Sequence, residues 1–226
     1  MKTIIQTPTP NFEESRNFYE KIGFEIHTSS DKTFVYSNGI TIELNKDRFS
    51  RAGIKCFGTN WEAFLSDNGL SDKATKMKNG YLITSPAGCC VYLEDAIEHL
   101  PQSDTKPLIG TYGGFSLETN QIEESIGFWE NFGYKQTMGN LEHGWEALSN
   151  EEGFSISLMK HQCCPHLFFN PSVSFFNGKE NMTIIEGVRT ANIDITEEIS
   201  HFNPDGIVDN IIIRDPGGLG FFIFSD

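Results

Sequence analysis

Hydrophobic and polar positions alternate along this chain in short stretches, broken at intervals by segments with helical spacing. The apolar stretch Thr3 to Gln6 predicts a strand, and Pro8, Pro10 and Asn11 then interrupt it. Phe12, Ser15, Phe18, Tyr19 and Ile22 recur at the spacing of one helix face, with Gly23 where a helix would end. Strands follow at Phe24 to His27, Phe34 to Tyr36 and Ile40 to Asn45, the last two joined by Ser37-Asn38-Gly39, a hairpin turn signal. The order is strand, helix, three strands. A second unit predicts strand Ile54 to Phe57, a helix near Trp61 to Ser66, and strands Tyr81 to Thr84 and Cys89 to Leu93 around Ser85-Pro86-Ala87-Gly88. Ala96 to Pro107, with Pro101 inside it, reads as a linker.

The second half repeats the first. Phe12 to Phe24 returns as Ile122 to Tyr134, with six of thirteen positions identical and every hydrophobic position but one kept. A repeat this long is a duplicated domain, not a solenoid of short units. Thr111 to Met159 matches the first unit. The fourth unit predicts strand Val173 to Phe176, helix Glu180 to Val188, and Ile211 to Arg214 turning through Asp215-Pro216-Gly217-Gly218 into Leu219 to Phe224. Proline fixes φ and glycine supplies a positive φ in such turns. The expected class is α+β, four βαβββ units in two tandem domains: 1–100 (units 1–46 and 52–95) and 108–226 (units 109–160 and 166–226).

Composition narrows the partners. With 17 Lys and Arg against 31 Asp and Glu, the net charge is −14, which repels phosphate backbones and anionic lipid, so neither nucleic acid nor membrane is an expected partner. No apolar run approaches the roughly 18 residues of a spanning helix. Met1 to Pro8 has no leader-like apolar core, and an odd count of five cysteines favours reduced thiols, so the expected location is the cytoplasm.

The helix motif Glu-Glu-Ser-x-x-Phe-Tyr/Trp-Glu-x-x-Gly-Phe/Tyr, together with Asp-Pro-Gly-Gly before the last strand, resembles the vicinal oxygen chelate superfamily of glyoxalases, bleomycin-resistance proteins and extradiol dioxygenases. The resemblance covers nearly the whole chain. It implies that paired units curl their sheets into cups, with metal ligands, where present, on the first and last strand of each unit. Strand alternation turns Thr41, Glu43 and Asn45 toward the first cup. The last-strand positions are then Glu43, Tyr92, Ser157 and Phe222. The expected first-strand positions are Ile4, Ile54, Gly114 and Val173; a slip of one offers residues such as Lys55 or Ser174, and Gln6 requires a slip of two. None of these sets supplies the roughly three ligands of a catalytic metal site, so no metal or other cofactor is expected, with a divalent metal at Glu43 as the alternative.

The expected function is metal-free binding of a small cationic or aromatic molecule, with Gln6, Thr41, Glu43, Asn45, Tyr92, Ser157 and Phe222 around it and Glu43 as candidate general base. The alternatives are a metal-dependent lyase, isomerase or dioxygenase of the same superfamily, and a scaffold whose cups are filled. The duplicated domain is consistent with a monomeric pseudo-dimer or a homodimer. His161-Gln162-Cys163-Cys164-Pro165-His166 groups soft-metal ligand types at a spacing that fits no common zinc motif, and reads as a polar connector. Glu142 to Glu146 reads as an exposed hairpin.

Overall fold

A computed structural model describes residues 1–29, 31–96 and 99–225. The chain forms two eight-stranded sheets with four α-helices among the described residues. In the first unit, strand β1 (Lys2–Pro8) leads into helix α1 (Phe12–Lys21), followed by β2 (Glu25–Ser29), β3 (Lys32–Ser37) and β4 (Ile40–Asn45). The second unit has β5 (Gly53–Gly58), α2 (Trp61–Asp67), β6 (Thr75–Met77), β7 (Gly80–Thr84) and β8 (Cys90–Asp95). The third has β9 (Tyr112–Thr119), α3 (Ile122–Asn131), β10 (Lys135–Asn140), β11 (Trp145–Ser149) and β12 (Ser155–Lys160). The fourth has β13 (Ser172–Phe176), α4 (Asn181–Thr190), β14 (Ile195–Ile199), β15 (Asn210–Arg214) and β16 (Gly220–Phe224).

Strand order is β2-β3-β4-β1-β5-β8-β7-β6 in one sheet and β10-β11-β12-β9-β13-β16-β15-β14 in the other. The first strands of paired units lie antiparallel at each sheet centre, and each pairs in parallel with the last strand of its own unit. Edge strands β6 and β14 have no counterpart in the sequence reading. β6 is three exposed residues, Thr-Lys-Met, and β14 carries Thr196, Glu197 and Glu198 with little apolar alternation. Pairing to β7 and β15 makes them strands.

Helix α1 forms where the apolar spacing predicts it. The Asn11 side chain accepts from the Glu14 amide at its start, and Gly23 takes φ +86° after its end. Ser15, Tyr19 and Ile22 are fully buried, and burying a side chain as large as Tyr19 contributes about 2–3 kcal/mol. The helix faces of both sheets share one apolar core. Phe18 and Tyr19 of α1 meet Phe221 of β16, and Phe64 of α2 meets Phe132 at the end of α3.

The Asp-Pro-Gly-Gly turn locks the halves together. Asp215 Oδ2 accepts from Thr7 Oγ1 at 2.8 Å and from the Tyr19 hydroxyl at 2.9 Å, while Oδ1 accepts from the Leu219 amide at 2.7 Å. Burial pushes the Asp215 carboxyl up to about 6 despite these donors. A Cβ on Gly217 would collide with the Pro8 carbonyl oxygen and Thr7 Oγ1. The matching turn of the second unit is held from the other side, by Asn170 Nδ2 donating to the Ala87 carbonyl at 3.1 Å.

The expected linker does more than connect. Ile97 and Glu98 of the Ala96 to Pro107 stretch lie outside the described residues, but Leu100 packs on the first sheet and Thr41 Oγ1 donates to the Pro101 carbonyl at 3.1 Å. In the Glu142 to Glu146 stretch, Glu142 and His143 are exposed as expected. Glu146 is buried, on the parity of the core residue Leu148, and burial and the nearby Glu130 raise its carboxyl.

Candidate functional site

The concave face of the first sheet is built from alternate residues of four central strands. Ile5, Ile42, Ile54 and Val91 go to the helix-side core, so their neighbours Ile4, Gln6, Glu43, Lys55 and Tyr92 face the cup. Register fixes their grouping: Gln6 stands opposite Glu43, Ile4 opposite Lys55, and Lys55 opposite Tyr92. The expected first-strand positions Ile54 and Val173 are therefore corrected by one residue. Both are core residues, and Lys55 and Ser174 take the cup-facing places. Runs such as Ile-Lys-Cys-Phe are apolar on both sides of a lysine, so alternation alone left their facing ambiguous.

Four charges meet on this floor. Lys55 Nζ donates to both Glu43 carboxylate oxygens at 2.9 Å and lies 2.6 Å from Glu94 Oε1. Lys32 Nζ donates to Glu94 Oε2 at 2.6 Å and lies 3.9 Å from Glu43 Oε2. The inner pair is buried, with side-chain exposures of 3% for Lys55 and 6% for Glu43, while Glu94 (19%) and Lys32 (28%) form the outer pair. The quartet is neutral as a whole. Burial works against the charge on Glu94, but Lys55 and Lys32 together hold its carboxyl below the usual range. Burial likewise opposes the charge on Lys32, and Glu94 and Glu43 overcome it and raise its ammonium. An apolar wall of Ile4, Phe34, Phe57 and Leu100 stands beside the charges, and Lys32 Nζ sits 5.6 Å from the Phe57 ring centre.

Each expected site residue has a definite place. Gln6 is fully buried, donating to the Arg51 carbonyl at 2.8 Å and accepting from Asn45 Nδ2 at 2.9 Å. The Tyr92 hydroxyl accepts from the Arg51 amide at 3.0 Å, and burial pushes it up to about 12. Its ring centre is 6.0 Å from Lys55 Nζ. Thr41 ties the cup rim to Pro101. Gln6, Thr41, Glu43, Asn45 and Tyr92 thus belong to one cup. Ser157 and Phe222 belong to the other sheet and do not join them. Lys32, Glu94 and Leu100 are not among the expected site residues, and Lys55 is offered only by a slip of one; Glu94 stands two residues beyond Tyr92, hence on the same face, which is the available signal.

A cleft of about 510 Å³ opens beside the floor, with Lys2, Ile4, Thr41, Leu100, Gln102 and Phe154 among its walls. That volume suits a small organic molecule. The quartet is not part of these walls; Leu100 stands between the two regions. The second cup is filled instead. Phe222 stacks on Phe224, meets Phe168 and His166 edge-on, and shares its cluster with Ile199, Ile212 and Phe169. Ser116 and Ser174 hydrogen-bond each other at 2.8 Å across its floor.

The donor set does not fit a resident divalent metal. Of Gln6, Glu43, Lys55 and Tyr92, only one is a carboxylate, and both its oxygens hold an ammonium. Gln6 already gives its oxygen to Asn45. Among the described residues, no three His, Cys, Asp or Glu side chains stand close enough to hold an ion. That includes the His161 to His166 stretch, where the two thiols are 3.8 Å apart but His161 Nδ1 is engaged by Glu118 Oε2 at 3.0 Å.

No protein-family model matches the chain, and no curated protein sequence matches it. Solved structures do. A catechol 2,3-dioxygenase is 13% identical with a TM-score of 0.55, the match covering 97% of this chain and 85% of that one. Homoprotocatechuate 2,3-dioxygenase from Arthrobacter globiformis is 11% identical with a TM-score of 0.58, covering 97% and 78%. The Mn(II)-bound glyoxalase from Novosphingobium aromaticivorans is 13% identical with a TM-score of 0.59, covering 97% and 79%. At these identities the likeness is one of fold.

Proposed function

We propose, from the premise that this chain has the tandem fold of the vicinal oxygen chelate superfamily, that it is a small-molecule-binding protein working through its first cup. The observation that carries this reading is the cleft beside Ile4, Thr41 and Leu100, next to a floor where ion pairs stand in the position of a chelate. Glu43 and Glu94 are already neutralised by Lys55 and Lys32. A cationic ligand therefore has no free carboxylate on the floor. The cleft itself is lined by Asp104 and Glu152 together with Lys2 and His99, so neither sign of charge dominates its walls and the ligand class shifts toward neutral polar molecules with an apolar body. The cleft offers Thr41, Gln102 and Asn38 for hydrogen bonds and Ile4, Leu100 and Phe154 for apolar contact. In this reading Glu43 is a structural partner of Lys55, not a general base.

A thermal-shift screen of neutral aromatic and polar compounds tests this, with Thr41→Trp blocking the cleft. Stabilisation that Thr41→Trp abolishes supports the site; stabilisation unchanged in that variant refutes it.

A metal-dependent lyase, isomerase or dioxygenase is the second reading. The named neighbours favour it, as does the convergence of Glu43 and Glu94 on one point. It requires Lys55 to leave that point. Stoichiometric manganese, iron or zinc in the purified protein decides for it.

A further inference from the structure

We infer that Lys55 is a built-in cation: its ammonium fills, from within the chain, the place on the first cup floor that a free cation would otherwise occupy. Three carboxylate oxygens surround Nζ within hydrogen-bond distance: both from Glu43 at 2.9 Å and one from Glu94 at 2.6 Å. The position is enforced by the sheet. Strand β5 is paired on both sides, to β1 and β8, and the flanking residues Ile54 and Cys56 are fully buried in the helix-side core. The side chain is therefore held on the cup face, where it is 3% exposed. Lys32 does not duplicate it, since its Nζ is 3.9 Å from the nearer Glu43 oxygen and its side chain is the most exposed of the four.

Without the Lys55 ammonium, only Lys32 would face the two carboxylates; it holds Glu94 at 2.6 Å but stands 3.9 Å from Glu43, which would be left buried with no close counter-charge. The chain thus supplies its own counter-charge and needs no ion from outside to assemble this floor. The donors are oxygens only, which selects hard divalent cations over thiophilic ones if the ammonium is removed. The inference holds whether or not the neighbouring cleft takes a ligand.

Manganese titration of Lys55→Ala tests it, with free Mn²⁺ read by its paramagnetic resonance signal and stability read as Tm. The truncated variant is expected to take up a single Mn²⁺ per chain and to gain Tm with rising Mn²⁺. Adding Glu43→Gln should abolish both effects. The unaltered protein should be indifferent to Mn²⁺ and to EDTA. If Lys55→Ala does not fold in EDTA, its recovery in Mn²⁺ is the same readout. A variant that binds no Mn²⁺, or that stays unfolded with it, overturns the inference. So does uptake by the unaltered protein that Glu43→Gln removes, because the site would then be open with Lys55 in place.

Discussion

Asp215 should make the stability of this protein fall as pH rises from 5 to 7.5. Its carboxyl has an ordinary value of 3.8 and sits at about 6 in the fold, where it is fully buried at the junction of the two halves. The folded value is the higher one, so the folded chain holds the proton more tightly. The stabilisation is complete below 3.8 and is lost as pH rises through 6. A difference of about two pH units corresponds to about 3 kcal/mol in all. Between pH 5 and 7.5 the share that disappears is about 1.4 kcal/mol. Glu94 opposes this trend only slightly, because its folded carboxyl is held below the usual range and its unfolded form keeps just a small protonated share at pH 5. Glu146, raised by burial, adds a loss of the same sign, and Asp215→Asn leaves both in place. The assay is urea unfolding at pH 5, 6 and 7.5 for the unaltered protein and Asp215→Asn. The amide is less stable overall, because it no longer suits all three donors, but its slope should be shallower by about 1.4 kcal/mol over the window. The variant subtracts every other titration. Equal slopes in the two proteins would refute the assignment.

Other outcomes follow from the same contacts. Tyr19→Phe removes the hydroxyl that donates to Asp215; it should cost about 1–3 kcal/mol in urea unfolding and move the pH-dependent loss to higher pH. Glu43→Gln leaves the buried Lys55 short of a partner and should destabilise by about 3–5 kcal/mol. The pair Glu43→Leu with Lys55→Met should cost less than the sum of its single changes, and a double-mutant cycle measures the difference. Gly217→Ala should lower Tm by more than any exposed glycine substitution, since its Cβ meets the Pro8 carbonyl; a Tm within a degree or so of the unaltered protein would contradict the packing. Among the thiols, the exposed Cys163 should react first with a disulfide reagent, while buried Cys56, raised to about 12 by its surroundings, reacts only on unfolding.

The sequence by itself determined the duplicated strand and helix pattern, because periodicity and turn chemistry are local: Gly23 at the end of α1 and the Asp215 to Gly218 turn form where their residue types require. It also determined the facing of Glu43, Tyr92, Ser157 and Phe222, since clear alternation or a hairpin turn set their strands. Tertiary structure decided the rest. Lys55 and Glu43 are partners only because β5 and β4 flank β1, a neighbourhood no local pattern encodes. A lysine flanked by apolar residues, as in Ile-Lys-Cys-Phe, reads equally as a core interruption or a cup residue until register is known. Strands β6 and β14 exist because a neighbour completes their hydrogen bonds. Alternation places Glu43 on the cup face, but its pairing with the Lys55 ammonium is a consequence of the sheet order.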